Sequence, residues 1–153
     1  MSTKNNAQPI TILMAEDDKD DQMLVKEAFR ESRLANDICF VENGVELLDY
    51  LRRHGKYIYL DHFPTPDLIL LDLNMPCKDG RETLEEIKAD PHLRHIPVVV
   101  LTTSKVEEDI LHSYDVGAAG FITKPVTFEE LVKVIQGLQE YWVQIVLLPA
   151  KGD

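Results

Sequence analysis

The side chains best suited to chemistry in this sequence are carboxylates, hydroxyls and one amine that each follow a short apolar run. Carboxylates brought to one place repel one another unless a cation joins them, and Mg²⁺ suits a site with few carboxylates, a backbone carbonyl and waters. Hydroxyl groups and an ammonium group would add donors for a tetrahedral anion, so the set fits a phosphoryl group bound to a carboxylate and bridged to Mg²⁺. The set comprises Glu16, Asp17, Asp18, Asp72, Thr102, Thr103, Ser104 and Lys124.

Five apolar runs must position these side chains. Most of the runs are continuous rather than alternating, which is typical of strands buried on both faces of a parallel sheet. Segments with helical periodicity lie between the runs, and this alternation predicts an α/β fold with helices on both faces of the sheet. Ligands of such sheets bind beyond the carboxyl ends of the strands, so the residues that follow the runs should share one pocket. The runs are 10–14, 38–41, 68–71, 96–101 and 120–122.

Three of the intervening segments show an apolar face at helical spacing. Capping pairs mark the start of two helices, Ser104 with Glu107 and Thr127 with Glu130. We expect Asp18 to cap the first helix rather than to bind a ligand. The three faces are Leu24, Val25, Ala28 and Phe29; Val45, Leu48 and Leu51; and Leu131, Val134, Ile135 and Leu138.

Length, charge and composition limit the classes of protein to which the chain can belong. The chain has 153 residues and a formal net charge of −11. Because of this negative charge, we expect it to repel nucleic-acid phosphates and anionic membranes. The apolar runs are too short to span a bilayer, and the polar start carries no signal-peptide core, so we expect a cytoplasmic protein with free thiols at Cys39 and Cys77. We expect a flexible N-terminus at 1–8, one domain at 9–142 and an apolar tail at 143–153.

Four stretches of the sequence together resemble the signatures of bacterial response-regulator receiver domains. They are ILMAEDD, LILLDLNMPCKDG, VVVLTTS and FITKP, in the order and spacing of that family, and the resemblance covers residues 10–142. Each stretch alone is a weak signal, whereas the set is specific. Membership implies the flavodoxin-like (βα)5 fold, a doubly wound parallel sheet of five strands in the order 2-1-3-4-5.

The resemblance assigns roles to the acidic residues by their positions in these stretches. Asp72 matches the phosphoacceptor at the end of the third strand. Asp17 matches the principal ligand of a bound Mg²⁺ or Mn²⁺ ion, and Glu16 matches the adjacent acidic position that acts through a metal-bound water. The backbone carbonyl of Asn74 matches the third protein ligand, so the expected metal site consists of Glu16, Asp17, Asp72 and Asn74.

The same resemblance assigns the residues that bind the phosphoryl group and respond to it. Thr102 matches the switch hydroxyl, Lys124 pairs with the acceptor or its phosphate, and the peptide between Lys124 and Pro125 is expected to be cis. Phe121 matches the aromatic residue whose ring swings inward when Thr102 moves. Thr103 replaces the smaller Ala or Ser that is more usual beside the switch residue, which would narrow access to the phosphate.

More narrowly, two blocks of the chain are similar to the single-domain response regulators of cyanobacterial phytochrome histidine kinases. The blocks are DLNMPCKDGRETLEEIKADPHLRHIPVVVLTTS and LVKVIQGLQEYWVQIVLLPA. This resemblance implies a non-enzymatic phosphorelay switch that accepts a phosphoryl group from such a kinase on Asp72 and signals through a changed protein–protein surface. The apolar stretch 141–149 also predicts a homodimer, formed by the tail and by the face of the last two helices and the fifth strand.

Two other functions would use a similar pocket and remain alternatives. A Mg²⁺-dependent phosphohydrolase of the haloacid-dehalogenase type also phosphorylates an aspartate, but it carries a DxDx[TV] signature after the first strand and needs a cap domain. Here the candidate nucleophile follows the third strand, in DLNMP. A flavodoxin would need a loop of hydroxyls and glycines after the first strand, where Glu16 and Asp17 stand instead.

Overall fold

The part of the chain that the structure describes contains five strands and four α-helices. The computed structural model describes residues 11–32, 37–58, 65–73, 75, 78, 80–102, 117–123 and 127–142. The strands are β1 (Thr11–Ala15), β2 (Asp37–Val41), β3 (Leu68–Asp72), β4 (Val98–Thr102) and β5 (Gly120–Thr123). The helices are α1 (Lys19–Ser32), α2 (Gly44–Arg52), α3 (Gly80–Ala89) and α4 (Phe128–Trp142), with a short 3-10 helix at Gly55–Tyr57. The helix expected to begin after Ser104 lies outside the described residues.

The strands form one parallel sheet in the order β2-β1-β3-β4-β5, which confirms the predicted topology. The middle strand is β3, whose Leu68 aligns with Ile12 of β1 and whose Asp72 aligns with Leu101 of β4. All five residues of β3 are buried, because helices pack against both faces of the sheet. This double coverage explains why the run is continuously apolar rather than alternating.

The sheet separates two hydrophobic cores. Ile69 and Leu71 of β3 belong to the core formed with α2 and α3, whereas Leu68 and Leu70 belong to the core formed with α1 and α4. Cys39 of β2 is a free thiol, as expected, and packs partly buried against the first of these cores. Alternate residues along a strand therefore stabilise opposite halves of the domain.

The predicted apolar face of α2 is wrong at one residue. Val45 is 46% exposed, whereas Leu47, which the predicted face omitted, is fully buried together with Leu48. The buried face begins one residue earlier, at Gly44, whose N–H donates to the carbonyl of Lys78 at 3.3 Å. Because Gly44 is held against the β3–α3 connection, the next residue along the helix turns toward solvent.

The faces of α1 and α4 agree with the prediction where their side chains are described. Thr127 begins α4 as expected, because its Oγ1 accepts a hydrogen bond from the N–H of Glu130 at 3.1 Å. Among the helices of the described residues, none combines the length and the apolar character needed to cross a membrane. The buried residues of the two faces are Val25, Ala28, Phe29, Leu131 and Ile135.

Candidate functional site

Three carboxylates meet at the carboxyl ends of β1 and β3. These strands are neighbours, and Ala15 of β1 aligns with Leu71 of β3, so Glu16 and Asp72 follow at adjacent positions. Oxygen atoms of Glu16, Asp17 and Asp72 all lie within 4.8 Å of one another. These three residues, called the acidic cluster below, come together as the rule for parallel sheets predicts.

Glu16 is held by hydrogen bonds at both of its backbone groups and at its carboxylate. Its N–H donates to the carbonyl of Val41, at the end of β2, at 2.9 Å. Its carbonyl accepts from Nε2 of Gln22 at 2.7 Å, and its Oε2 accepts from the N–H of Asp18 at 3.2 Å. With only 1% of its surface exposed, Glu16 forms the inner wall of the acidic cluster.

Asp17 is exposed, whereas Asp18 caps α1. Oδ1 of Asp18 accepts hydrogen bonds from the N–H groups of Asp20 at 2.8 Å and of Asp21 at 3.2 Å, which confirms the predicted N-cap. The carboxylate of Asp18 therefore satisfies the first turn of the helix. Asp17 gives the acidic cluster its solvent-facing side, through which an ion or a reacting group can enter.

Asp72 ends β3 and is buried, with 4% of its surface exposed. The next residue, Leu73, donates its N–H to the carbonyl of Leu101 at 3.0 Å and accepts from the N–H of Gly80 at 3.1 Å. Gly80, the first residue of α3, lies so close that a Cβ there would be 2.5 Å from the carbonyl oxygen of Asp72. The strand end is thus fixed by β4 on one side and by the start of α3 on the other.

The connection from β3 to α3 is anchored at Lys78. Its carbonyl accepts the N–H of Gly44, and its Nζ donates a hydrogen bond to Oε2 of Glu86. That hydrogen bond raises the pKa of Lys78 and lowers the pKa of Glu86, so both groups are charged at neutral pH. Arg52 extends the ion pairs, with its guanidinium nitrogens 3.6 Å from Glu86 and 3.2 Å from Asp90. These groups are partly exposed, so solvent weakens each pair.

The acidic cluster fits a hard divalent cation. Carboxylate oxygens are the ligands that Mg²⁺ and Mn²⁺ prefer, and the close spacing of three of them allows one ion to contact more than one. Glu16 and Asp72 are buried, and negative charges this close repel more strongly where water is excluded. A bound cation would relieve that repulsion, so the residues present support divalent metal binding.

The other predicted site residues are described in part or not at all. Thr102 is the last residue of β4, at the same edge of the sheet as the acidic cluster, and Phe121 aligns with Val100. The structure describes only the backbone of Thr102 and Phe121. The roles given to both side chains stay predictions, as do those of residues outside the described ranges, which are Asn74, Thr103, Lys124 and Pro125 with its expected cis peptide.

Two residues support the acidic cluster although the sequence assigned neither of them to the site. Gly80 belongs to an Asp-Gly pair, which signals a turn but does not reveal close contact with Asp72. Gln22 stands within α1, where glutamine is an ordinary helix-forming residue. Nothing in the helical pattern shows that its side chain reaches back to the end of β1.

The chain is similar to known proteins over nearly all of its length. Residues 12–136 match the family model described as the response regulator receiver domain. The chain is 42% identical over 150 residues to response regulator Rcp1 of Synechocystis sp., a match that covers 98% of this chain and 99% of Rcp1. These matches confirm the resemblance on which the assignment of roles depends.

Solved structures give the same result. The phosphorylated cyanobacterial phytochrome response regulator RcpA matches with a TM-score of 0.80 and 45% identity, over 89% of this chain and 95% of RcpA. The Mn²⁺-bound form of response regulator Rcp1 matches with a TM-score of 0.78 and 41% identity, over 90% of this chain and 97% of Rcp1. The flavodoxin-like fold is confirmed, and none of these matches supports the phosphohydrolase alternative.

Proposed function

The chain belongs to the response regulator receiver family, and from this membership we propose that Asp72 accepts a phosphoryl group from a sensor histidine kinase. The observation that supports the proposal is the acidic cluster, in which Asp72 is buried at the end of the central strand with oxygens of Glu16 and Asp17 within 4.8 Å. The product is the phosphorylated form of the chain itself, so the protein acts as a switch rather than as a turnover enzyme.

In the proposed reaction, a carboxylate oxygen of Asp72 attacks the phosphorus of a phosphohistidine in line with the phosphorus–nitrogen bond. A phosphorus–oxygen bond forms while that bond breaks, and the imidazole leaves and takes up a proton. A Mg²⁺ ion held by Glu16, Asp17, Asp72 and the carbonyl of Asn74 would neutralise charge on the transferring group. Lys124 is expected to donate hydrogen bonds to the phosphoryl oxygens.

Thr102 and Phe121 are proposed to convert the acyl phosphate into a changed surface. The hydroxyl of Thr102 would bond a phosphoryl oxygen, with Thr103 narrowing the approach, and the ring of Phe121 would move into the space that Thr102 leaves. The pairing of β4 with β5 supports this route, because Thr102 aligns with Thr123 and Leu101 with Ile122. A movement at the end of β4 would therefore reach the adjacent edge strand directly.

The proposed partners are a phytochrome histidine kinase and a second copy of this chain. RcpA, to which the chain is 45% identical, is a phytochrome response regulator, and the apolar tail 143–153 supports homodimerisation. Mn²⁺ bound to Rcp1 supports a divalent ion here, and Mg²⁺ suits the same oxygen ligands. Because histidine kinases use ATP to form phosphohistidine, we place the reaction in the cytoplasm.

Asp72→Asn tests the proposed phosphoacceptor, with Asp67→Asn as the matched control. Asp67 directly precedes β3, at the opposite end of the strand from Asp72, where its Oδ2 accepts the N–H of Thr11 at 2.9 Å. An asparagine oxygen can accept the same bond. Wild type and Asp67→Asn should each take up one phosphoryl group from acetyl phosphate and Mg²⁺, whereas Asp72→Asn should take up none. Intact-protein mass spectrometry measures the uptake.

Labelling of Asp72→Asn to the wild-type level would refute the proposal, and sustained release of phosphate by wild type would favour the hydrolase alternative.

The kinase partner requires a separate measurement. Phosphotransfer from a panel of histidine kinases that includes a phytochrome should be fastest from the phytochrome. Equal or slower transfer from the phytochrome would contradict that pairing and leave the role of Asp72 intact.

A further inference from the structure

Gln22 connects the first turns of α1 to the peptide group that joins two members of the acidic cluster. Its backbone N–H donates to the carbonyl of Asp18 at 3.0 Å, as in a regular helix. Its side chain is partly buried and reaches back toward β1, where Nε2 donates to the carbonyl oxygen of Glu16 at 2.7 Å. That carbonyl belongs to the peptide between Glu16 and Asp17. The side chain of Gln22 in α1 therefore holds the backbone of the acidic cluster.

The planarity of the peptide makes this hydrogen bond a constraint on Asp17. The atoms from Cα of Glu16 to Cα of Asp17 move as one rigid unit, and the carbonyl end of that unit is fixed by Gln22. The N–H on the other side of Glu16 is fixed by Val41 at 2.9 Å. The direction in which the Asp17 side chain leaves the backbone therefore depends on the amide of Gln22.

We propose that Gln22 is a positioning residue for divalent cation binding, which orients Asp17 toward Glu16 and Asp72 before an ion arrives. This inference rests on the proposed function, because it concerns the metal site of the same phosphoacceptor. Asp17 is the exposed member of the cluster, so neighbouring side chains constrain it less than burial constrains the other two. Restricting its orientation in advance lowers the ordering cost that ion binding would otherwise carry.

Gln22→Met tests the inference, because methionine has a similar length and no charge but cannot donate to the carbonyl. The dissociation constant for Mn²⁺, measured from the electron paramagnetic resonance signal of the free ion, should rise about threefold to tenfold, the effect of one neutral hydrogen bond. Gln136→Met is the matched control, since Gln136 is an exposed residue of α4, and its dissociation constant should equal that of wild type. Gln22→Asn, one methylene shorter, should weaken Mn²⁺ binding in the same direction.

A double-mutant cycle separates positioning from a general structural role. If Gln22 acts through Asp17, then Gln22→Met in an Asp17→Asn background should leave the dissociation constant for Mn²⁺ unchanged. An equal loss of affinity in both backgrounds would overturn the inference, and so would wild-type affinity in Gln22→Met and Gln22→Asn. Either result leaves the proposed function standing if Asp72 is still phosphorylated, whereas the proposed function fails separately if Asp72→Asn is labelled.

Discussion

Position 80 requires glycine because the backbone of the strand end lies very close to it, and not because its own backbone conformation is unusual. A Cβ at this position would lie 2.5 Å from the carbonyl oxygen of Asp72 and 2.6 Å from Cα of Leu73. Both atoms belong to the backbone of the strand end, so no flexible side chain can move aside to make room. A side chain at position 80 must therefore displace either α3 or Asp72, the proposed phosphoacceptor.

Gly80→Ala should destabilise the domain by about 1–3 kcal/mol, the usual cost of forcing extra volume into a packed site. It should also slow uptake of a phosphoryl group from acetyl phosphate, because any displacement of the strand end moves Asp72 relative to Glu16 and Asp17. Gly137→Ala is the control, since Gly137 is exposed in α4 and a methyl group there would meet none of the described residues within 4 Å, the backbone of its own helix aside. It should stabilise the domain by about 0.5–1 kcal/mol. Urea unfolding measures both; equal stability of Gly80→Ala and wild type would contradict the close contact.

At the scale of residues, the sequence predicts which carboxylates meet but not what holds them. Glu16, Asp17 and Asp72 each follow a buried strand, and the geometry of parallel sheets is enough to bring such residues together. The amide of Gln22 and the missing side chain of Gly80 act through backbone atoms, which leave no pattern in the order of residue types. Such contacts depend on distances between elements, and these become known only when the chain is folded.

An aromatic pair joins α2 to the short 3-10 helix that follows it. The rings of Tyr50 and Tyr57 lie 5.2 Å apart at an angle of 59°, so Tyr57 of the 3-10 helix packs onto the end of α2. Burial, and then the nearby carboxylate of Glu46, raises the pKa of Tyr57 from 10.0 to about 12. This element thus adds a titratable group whose ionisation opposes folding.

The raised pKa of Tyr57 predicts a loss of stability at high pH. The unfolded chain releases the tyrosine proton near pH 10, whereas the folded chain retains it until about pH 12. The contribution of Tyr57 to stability is therefore complete below pH 10 and is lost as pH rises toward 12. Urea unfolding between pH 9 and 12 should show a shallower decline for Tyr57→Phe than for wild type, and identical slopes would contradict the assignment.

At the scale of elements, the sequence predicts the type of each described strand and helix more reliably than its ends. The fourth apolar run begins at Ile96, yet β4 begins at Val98. Ile96 is buried in the preceding turn, where its N–H donates to the carbonyl of Leu93 at 3.0 Å. An apolar residue buried in a turn looks the same in sequence as one in a strand, because both positions exclude water.

At the scale of the whole molecule, strand order depends on more than the pattern of apolar runs. Periodicity identifies strands but does not show which of them are neighbours, so the order was predicted from resemblance to the receiver family and is confirmed by the sheet. The correct order also explains the two cores, because the middle strand contributes alternate residues to each. The order of the strands was therefore predictable from the family and not from the sequence of any single strand.

The proposed homodimer predicts a change of mass when the tail is removed. Light scattering should report a dimer for the full chain and a monomer for a chain that ends at residue 142, because removal takes away the apolar tail 143–153. Each copy has a formal net charge of −11, so added salt should strengthen association by screening the repulsion between copies. A monomeric mass for both chains at all salt concentrations would refute the dimer.

The distance between the amino-terminal and carboxyl-terminal ends of the strands has a practical consequence for building sensors. Asp67 directly precedes β3 and Asp72 ends it, five residues further on, which corresponds to roughly 16 Å at the usual rise of an extended chain. A tether or reporter joined at the amino-terminal ends of the strands, for example at the exposed His95 in the loop before β4, would lie far from the acidic cluster. Protein immobilised in this way would expose the acidic cluster to solution, where phosphodonors can be exchanged by flow.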